Sequence, residues 1–202
     1  MTAPAPLAGA SEARAGQILE AARRIFGREG FARTTVQAVA EAAGIGKGTV
    51  YLYFESKEAL YWAAVRQGLE EMRRQSDAAI AESESTADKL RAFITTRLRY
   101  FQQERDFFRV YFAELGHSMV RSPGPEDKLE ELYVGQARAL RSMLDDGVVR
   151  GELREQRTDA TAYAILDLTR ACVVQRLRGW SRASADEDLD HLFNLLWRGI
   201  SR

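Results

Sequence analysis

Residues 34–60 read TTVQAVAEAAGIGKGTVYLYFESKEAL, and this stretch decides the fold. Val36, Val39, Ala40 and Ala43 recur at helical spacing and give a first short helix one apolar face. Thr35 stands where a cap is needed, since its hydroxyl accepts from an otherwise unpaired backbone N–H. Ala43-Gly44-Ile45 is the turn: Gly44 suits a positive φ just past a helix end, and Ile45 then points back to the core. A second short helix is expected from Gly46 to about Phe54, burying Val50 and Phe54 at i, i+4. Its other faces carry Lys47, Gly48, Thr49, Tyr51 and Tyr53. Small, hydroxylated, basic and aromatic groups on an outward face suit a DNA major groove: Lys and Tyr reach phosphates, and Thr touches a base edge or a thymine methyl. Ser56-Lys57-Glu58-Ala59-Leu60 then opens another helix. The segment reads as a helix-turn-helix.

Upstream stands the stretch that contains Ile18-Leu19-Glu20-Ala21-Ala22, Ile25-Phe26 and Gly30-Phe31. Together with Thr34-Thr35, Ala43-Gly44-Ile45, Lys47-Gly48-Thr49-Val50-Tyr51, Tyr53-Phe54 and Ser56 to Leu60, it resembles the DNA-binding domain of the tetracycline-repressor (TetR) family of transcription regulators. The resemblance covers roughly the first quarter to third of the chain. It is specific as a combined pattern, whereas a piece such as Lys47-Gly48-Thr49 alone is not. One departure is Gly46, where many members carry Ser or Thr; it removes a hydroxyl contact and softens the helix start. The resemblance implies an all-α protein of about nine helices: an N-terminal three-helix helix-turn-helix DNA-binding domain and a C-terminal helical ligand-binding and dimerisation domain. Residues 1–12 are then a disordered tail rich in Ala, Pro and Gly, 13–60 the DNA-binding domain, and 61–202 the effector and dimer domain.

Bulk charge carries no hint of nucleic acid. Formal net charge is zero, and through Leu60 seven basic side chains face six acidic ones. The inference rests on placement, and with so few basic groups per subunit useful affinity for DNA needs two subunits. Cys172 is the only cysteine, so no intramolecular disulfide forms and no zinc pattern exists. The first residues lack the basic and apolar regions of a secretory leader, and no run of about eighteen apolar residues occurs. A cytoplasmic protein without a membrane span is expected.

Helical periodicity dominates the rest. A fourth helix runs from Ser56 towards Ile80, and Ser83 to Thr86 interrupts the pattern. A fifth spans Ala87 to Gln103, with Leu90, Phe93, Ile94, Arg97 and Phe101 along one side. The sixth, Asp106 to Gly116, is aromatic. Residues 121–125 are a loop, and a seventh helix runs from Glu126 to Asp146, stopping at Gly147. The eighth covers Asp159 to Arg178 and the ninth Asp186 to Ile200. The last two are apolar on more than one face: Tyr163, Ile165, Leu166, Leu168 and Val173 on one, Leu192, Phe193, Leu195 and Leu196 on the other. Such helices are core on several sides, or they pair two-fold with a second copy. TetR-like proteins dimerise through these two helices, so a homodimer is expected.

For DNA, the candidate contacts are Thr35, Gly46, Lys47, Gly48, Thr49, Tyr51, Tyr53 and Lys57. Thr35 and Lys57 are assigned to phosphates, Thr35 through its hydroxyl and a helix N-terminus. Tyr51 is placed either on DNA or inside the small domain, and Arg33 is a backbone clamp or a solvated side chain. Family resemblance puts an effector pocket in the helical domain. Its candidates are Phe93, Arg97, Tyr100, Phe101, Phe108, Tyr111, Phe112, His117 and Met119; the alternative is a solid aromatic core. A small apolar effector fits such a lining. His117 and His191 lack a ligand cluster, so no metal or cofactor is expected, and no catalytic residue is identified. The reading is a ligand-responsive regulator, a repressor binding palindromic double-stranded DNA as a dimer. A helical interaction protein without DNA binding and a small helical enzyme are the alternatives.

Overall fold

The computed structural model describes residues 8–115 and 127–202. Nine helices lie among them: α1 (Ala8–Glu29), α2 (Val36–Ala42), α3 (Lys47–Tyr51), α4 (Lys57–Ala81), α5 (Thr86–Gln103), α6 (Arg105–Leu115), α7 (Asp127–Val149), α8 (Thr158–Leu177) and α9 (Ala185–Ile200). The described residues contain no strand, only an isolated bridge between Leu153 and Ser201. The all-α expectation holds.

Internal contacts divide the chain into two compact units. One holds the described residues through Gly68 and those from Asp106 to Leu115; the other holds Leu69–Arg105 and the described residues from Asp127 onward. α4 is one unbroken helix with residues in each.

In the first unit, Ile18, Ala22, Ile25 and Phe26 of α1 are fully or almost fully buried, as are Val39 and Ala40 of α2, Val50 of α3 and Leu60 of α4. An aromatic cluster completes this core. Phe31 stacks on Phe26 at 5.9 Å between ring centroids, and Tyr61 meets Phe26 edge-on at 5.1 Å and Phe107 of α6 at 6.1 Å. The α2–α3 turn is a paired C-cap. Gly44 has φ +67°, its N–H donates to the Glu41 carbonyl, and the Ile45 N–H donates to the Ala40 carbonyl. Only glycine takes that backbone conformation cheaply.

In the second unit α7 packs on α8, α9 on α5 and α8, and α5 on α7. Ser85 caps α5 by accepting from the Asp88 N–H, and Ser184 with Glu187 forms a capping box at α9.

Three details depart from the sequence reading. First, α1 starts at Ala8, inside the expected tail of residues 1–12, because Ala8-Gly-Ala-Ser-Glu-Ala is mostly helix-favouring and continues the helix backwards; residues 1–7 lie outside the described ones. Second, α3 is shorter than the expected span to Phe54. Beyond Tyr51 the chain makes a tight turn, with the Phe54 N–H donating to Val50, so that Ser56 caps α4 by accepting from Ala59, and Phe54 is only half-buried. Third, α7 does not stop at Gly147. It continues to Val149, and Gly151 at φ +74° is the residue past its end. The Gly151 N–H donates to Val148 and the Glu152 N–H to Gly147. Gly147 instead permits a close approach: a Cβ there would sit 2.7 Å from Thr86 Oγ1 and 3.0 Å from the Leu153 side chain.

Candidate functional site

α3 is held by its buried side and offers its other side to solvent. Val50 is 1% exposed and anchors the helix. Lys47 and Gly48 are exposed, Thr49 and Tyr53 half-exposed, and Tyr51 is 46% exposed, so of its two sequence-level placements Tyr51 takes the outward one. The Lys47 ammonium lies 5.8 Å from the Tyr51 ring centroid, one helical turn on, which orients both groups on one face. Gly46 is the N-cap in extended conformation and has no side-chain cap bond. Nothing crowds it or Gly48: a Cβ on Gly48 would meet no atom within 4 Å. Backbone N–H groups at this helix start are therefore open to a phosphate oxygen.

At the start of α2, the Thr35 hydroxyl oxygen accepts from the Ala38 N–H at 3.1 Å. As the acceptor in that bond, the hydroxyl keeps its own proton for another acceptor. Lys57 is differently engaged. Its ammonium donates to the Phe31 carbonyl at 3.1 Å and the Ala32 carbonyl at 3.5 Å, and it rides over the Phe31 ring at 4.5 Å. The side chain ties the α1–α2 connection to α4 rather than reaching freely outward. Arg33 is likewise occupied, donating to the Glu29 carbonyl at the end of α1.

A second feature lies in the other unit. A cavity of about 420 Å³ opens between the second half of α4, α5 and α7, lined by Ser76, Ile80, Phe93, Arg97, Gln136, Leu140 and Met143 among others. The exposed Arg73, Asp77 and Glu131 also border it, the first two paired at 3.0 Å. Most of the lining is apolar, as small-molecule sites are, and the volume is in the range such sites occupy. Arg97 is 7% exposed, donates to Gln136 Oε1, and has its guanidinium 5.0 Å from the Phe93 ring centroid. Burial pushes it down to about 10, so it remains charged at neutral pH.

Of the sequence-level effector candidates, Phe93 and Arg97 meet in this cavity. Tyr100 is buried, and Phe101 borders a separate small cavity of about 60 Å³ with Leu98 and Arg176. Phe108, Tyr111 and Phe112 belong to the other compact unit, where their rings form an edge-to-face series at 5.9 and 5.0 Å. They do not line the 420 Å³ cavity. His117 and Met119 lie outside the described residues. Ser76 and Gln136 escaped sequence reading. The signal was a polar residue interrupting an apolar stripe: Met72-Ser76-Ile80 on α4 and Leu132-Gln136-Leu140 on α7, all at i, i+4.

Comparison with known proteins bears on both features. Residues 18–64 match the family model described as bacterial regulatory proteins of the tetR family, and residues 83–173 match that of the tetracyclin repressor-like C-terminal domain. A relative in Bacillus subtilis, the HTH-type transcriptional regulator YhgD, is 25% identical, with 89% of this chain and 90% of that protein covered. The HTH-type transcriptional repressor KstR2 of Rhodococcus jostii is 23% identical, with 98% and 96% covered. Among solved structures, the regulator FadR of Bacillus subtilis in complex with stearoyl-CoA superposes with a TM-score of 0.79. Its identity is 21%, and 91% of this chain and 98% of that chain are covered. The two family models together span most of the chain and meet the helix-turn-helix and the helical unit found above, and so the chain belongs to the TetR family of ligand-responsive, DNA-binding transcriptional regulators.

Proposed function

We propose that the protein is a homodimeric repressor of the cytoplasm that reads a palindromic operator and leaves it when a small apolar effector binds. Residues 13–60 are assigned to DNA reading and 61–202 to effector binding and dimerisation. The observation that carries this reading is the face of α3: Lys47, Thr49 and Tyr51 are turned outward on a helix anchored from behind by Val50. Lys47, Tyr51, Tyr53 and Thr35 would contact phosphates, as would the open N–H groups at Gly46 and Gly48. Thr49 would touch a base, so its replacement should change sequence preference where loss of Lys47 weakens binding to every sequence.

Two-fold pairing would run through α8 and α9. Their outward faces carry Tyr163, Leu168 and Leu195, large apolar side chains left in solvent by a single chain. The apolar lining of the cavity supports an apolar effector, and the fold neighbour that holds stearoyl-CoA makes an acyl chain a reasonable body for it. The relative named a repressor supports repression as the mode of action. Because the second half of α4 borders the cavity and its first half belongs to the same compact unit as α3, effector binding would act on the reading head along that helix.

Selection of bound sequences from random duplex DNA at physiological salt tests the proposal. Enrichment of a palindrome with half-sites about 34–36 Å apart is the expected result. Failure to enrich any sequence would reject operator binding by the unliganded protein and favour the helical interaction protein.

A further inference from the structure

Arg97 is hard to explain as a core residue. It is almost wholly buried, and no carboxylate of a described residue lies within ion-pair distance of it. Its hydrogen bond to the Gln136 amide oxygen and its contact with the Phe93 ring are interactions with neutral groups. Its Nε–H has no acceptor among the described residues, although it is shielded from solvent. Nearby acids do not rescue it. Asp77 is spent on Arg73, and Glu131 is exposed. A buried cation without a counterion is costly, and natural structures keep one only where something else supplies the charge. The group sits in the wall of a 420 Å³ cavity whose other lining is mostly apolar. A second polar group on the same wall, the Ser76 hydroxyl, is also buried and unpartnered.

We propose that the effector is an apolar carboxylate, its acid group seated on the Arg97 guanidinium and its hydrocarbon body lying against Phe93, Ile80, Leu140 and Met143. The inference rests on the proposed effector role of this cavity and specifies its ligand class. A guanidinium presents donors in a planar fork that matches the two oxygens of a carboxylate. The ligand oxygens would take up the idle Nε–H, and the Ser76 O–H can donate to the same acid group or to a water beside it. Gln136, whose amide oxygen accepts from Arg97, restrains the fork in the cavity wall. The ion pair would be shielded from water, which makes the acid group the main determinant of selectivity; the apolar wall accepts bodies of differing shape.

Titration calorimetry on the full-length protein without DNA tests this with two acid–amide pairs, octanoate with octanamide and phenylbutyrate with phenylbutyramide. At least one acid should bind, about 10- to 100-fold more tightly than its neutral amide. In Arg97→Met the acid should lose that advantage and bind no better than the amide. Arg97→Lys, which keeps the charge without the fork and guards against a misfolded Met variant, should retain a reduced preference. Equal affinity for acid and amide in the wild-type protein would overturn the inference, as would binding of neither acid, or wild-type acid affinity in a folded Arg97→Met. Release of the protein from its selected operator is read separately. Acids that bind but leave DNA affinity unchanged would count against derepression and leave the ligand class standing.

Discussion

Lys47 and Lys57 look alike in sequence, each a basic residue at the start of a helix in the DNA-reading segment. The structure separates them. Lys47 is exposed and lies 5.8 Å from the ring centroid of Tyr51, whereas Lys57 is bonded to the Phe31 and Ala32 carbonyls. The first ammonium is free to displace counterions from DNA; the second satisfies backbone acceptors of its own fold. Lys47→Ala should therefore leave the urea midpoint unchanged and reduce the salt slope of DNA binding by about one per subunit. Lys57→Ala should cost about 1 kcal/mol of folding stability, through the lost charged hydrogen bonds and ring contact, with little change in salt slope. Binding isotherms at several salt concentrations, beside urea titrations, check both. An equal fall in slope for the two variants would return Lys57 to the phosphates. Gly46 is a milder case at the same scale. A Cβ there would meet only Thr49 Oγ1 at 3.9 Å, so a side chain is absent from this cap for no steric reason.

At the level of elements, the connector after α7 joins three helix ends. Glu152 accepts from the Thr86 N–H at the start of α5 and from Arg150 at 2.7 Å, while Arg150 also donates to Thr86 Oγ1. The Arg154 N–H donates to the Ile200 carbonyl at the end of α9. The bonds from Thr86, aided by Arg150, hold the Glu152 carboxyl down to about 2, against an ordinary 4.5. A carboxyl whose pKa is lower in the folded chain adds stability above the unfolded value and loses it as pH falls through the folded one. The difference in melting temperature between wild type and Glu152→Gln should therefore be constant above about pH 5 and shrink between 4.5 and 2; a gap that ignores pH would show that the carboxylate charge does not matter there. Gly147 belongs to the same junction. Alanine would gain about 1 kcal/mol in helix propensity, but its Cβ would strike Thr86 and Leu153, an overpacking cost of about 1–3 kcal/mol. Gly147→Ala should on balance lower the urea midpoint, and a rise would mean the junction yields easily. This glycine also shows what the sequence concealed. A glycine that stops a helix and one that admits a neighbour read the same, and only the tertiary approach of α5 tells them apart. The Ala43-Gly44-Ile45 turn was legible because its signature is local: a positive φ, two backbone bonds and one apolar residue. Ser76 and Gln136 were not, since their convergence with Arg97 on one cavity depends on how α4, α5 and α7 are arranged. The aromatic series of α6 makes the same point, because helical spacing gives the face of a ring but not the unit to which it belongs.

For the whole molecule, the decisive question is how many reading heads act together. α8 buries Ala162, Ile165, Leu166, Thr169, Val173 and Leu177 on its own unit. It then exposes Ala160, Ala164, Leu168 and Ala171 at spacings of four, four and three, a second apolar stripe on the opposite side. On α9, Leu195 stands 56% exposed between the buried Leu192 and Leu196. Exposed apolar side chains of this kind are what a second copy would cover. Leu195→Asp places a charge in that surface without touching the buried side of α9. It should give a folded monomer by sedimentation, with unchanged helical circular dichroism and an intact calorimetric response to effector. Its effect on DNA is the sharper test. Counterion release scales with the number of phosphates neutralised, so a dimer docking two heads loses affinity with salt along twice the slope of one head. The monomeric variant should therefore bind the selected palindrome with about half the wild-type salt slope and with affinity no better for a palindrome than for a single half-site. A monomer that keeps the full slope would mean that one α3 helix already makes every phosphate contact. The net charge of zero and the single outward lysine of α3 argue against that outcome.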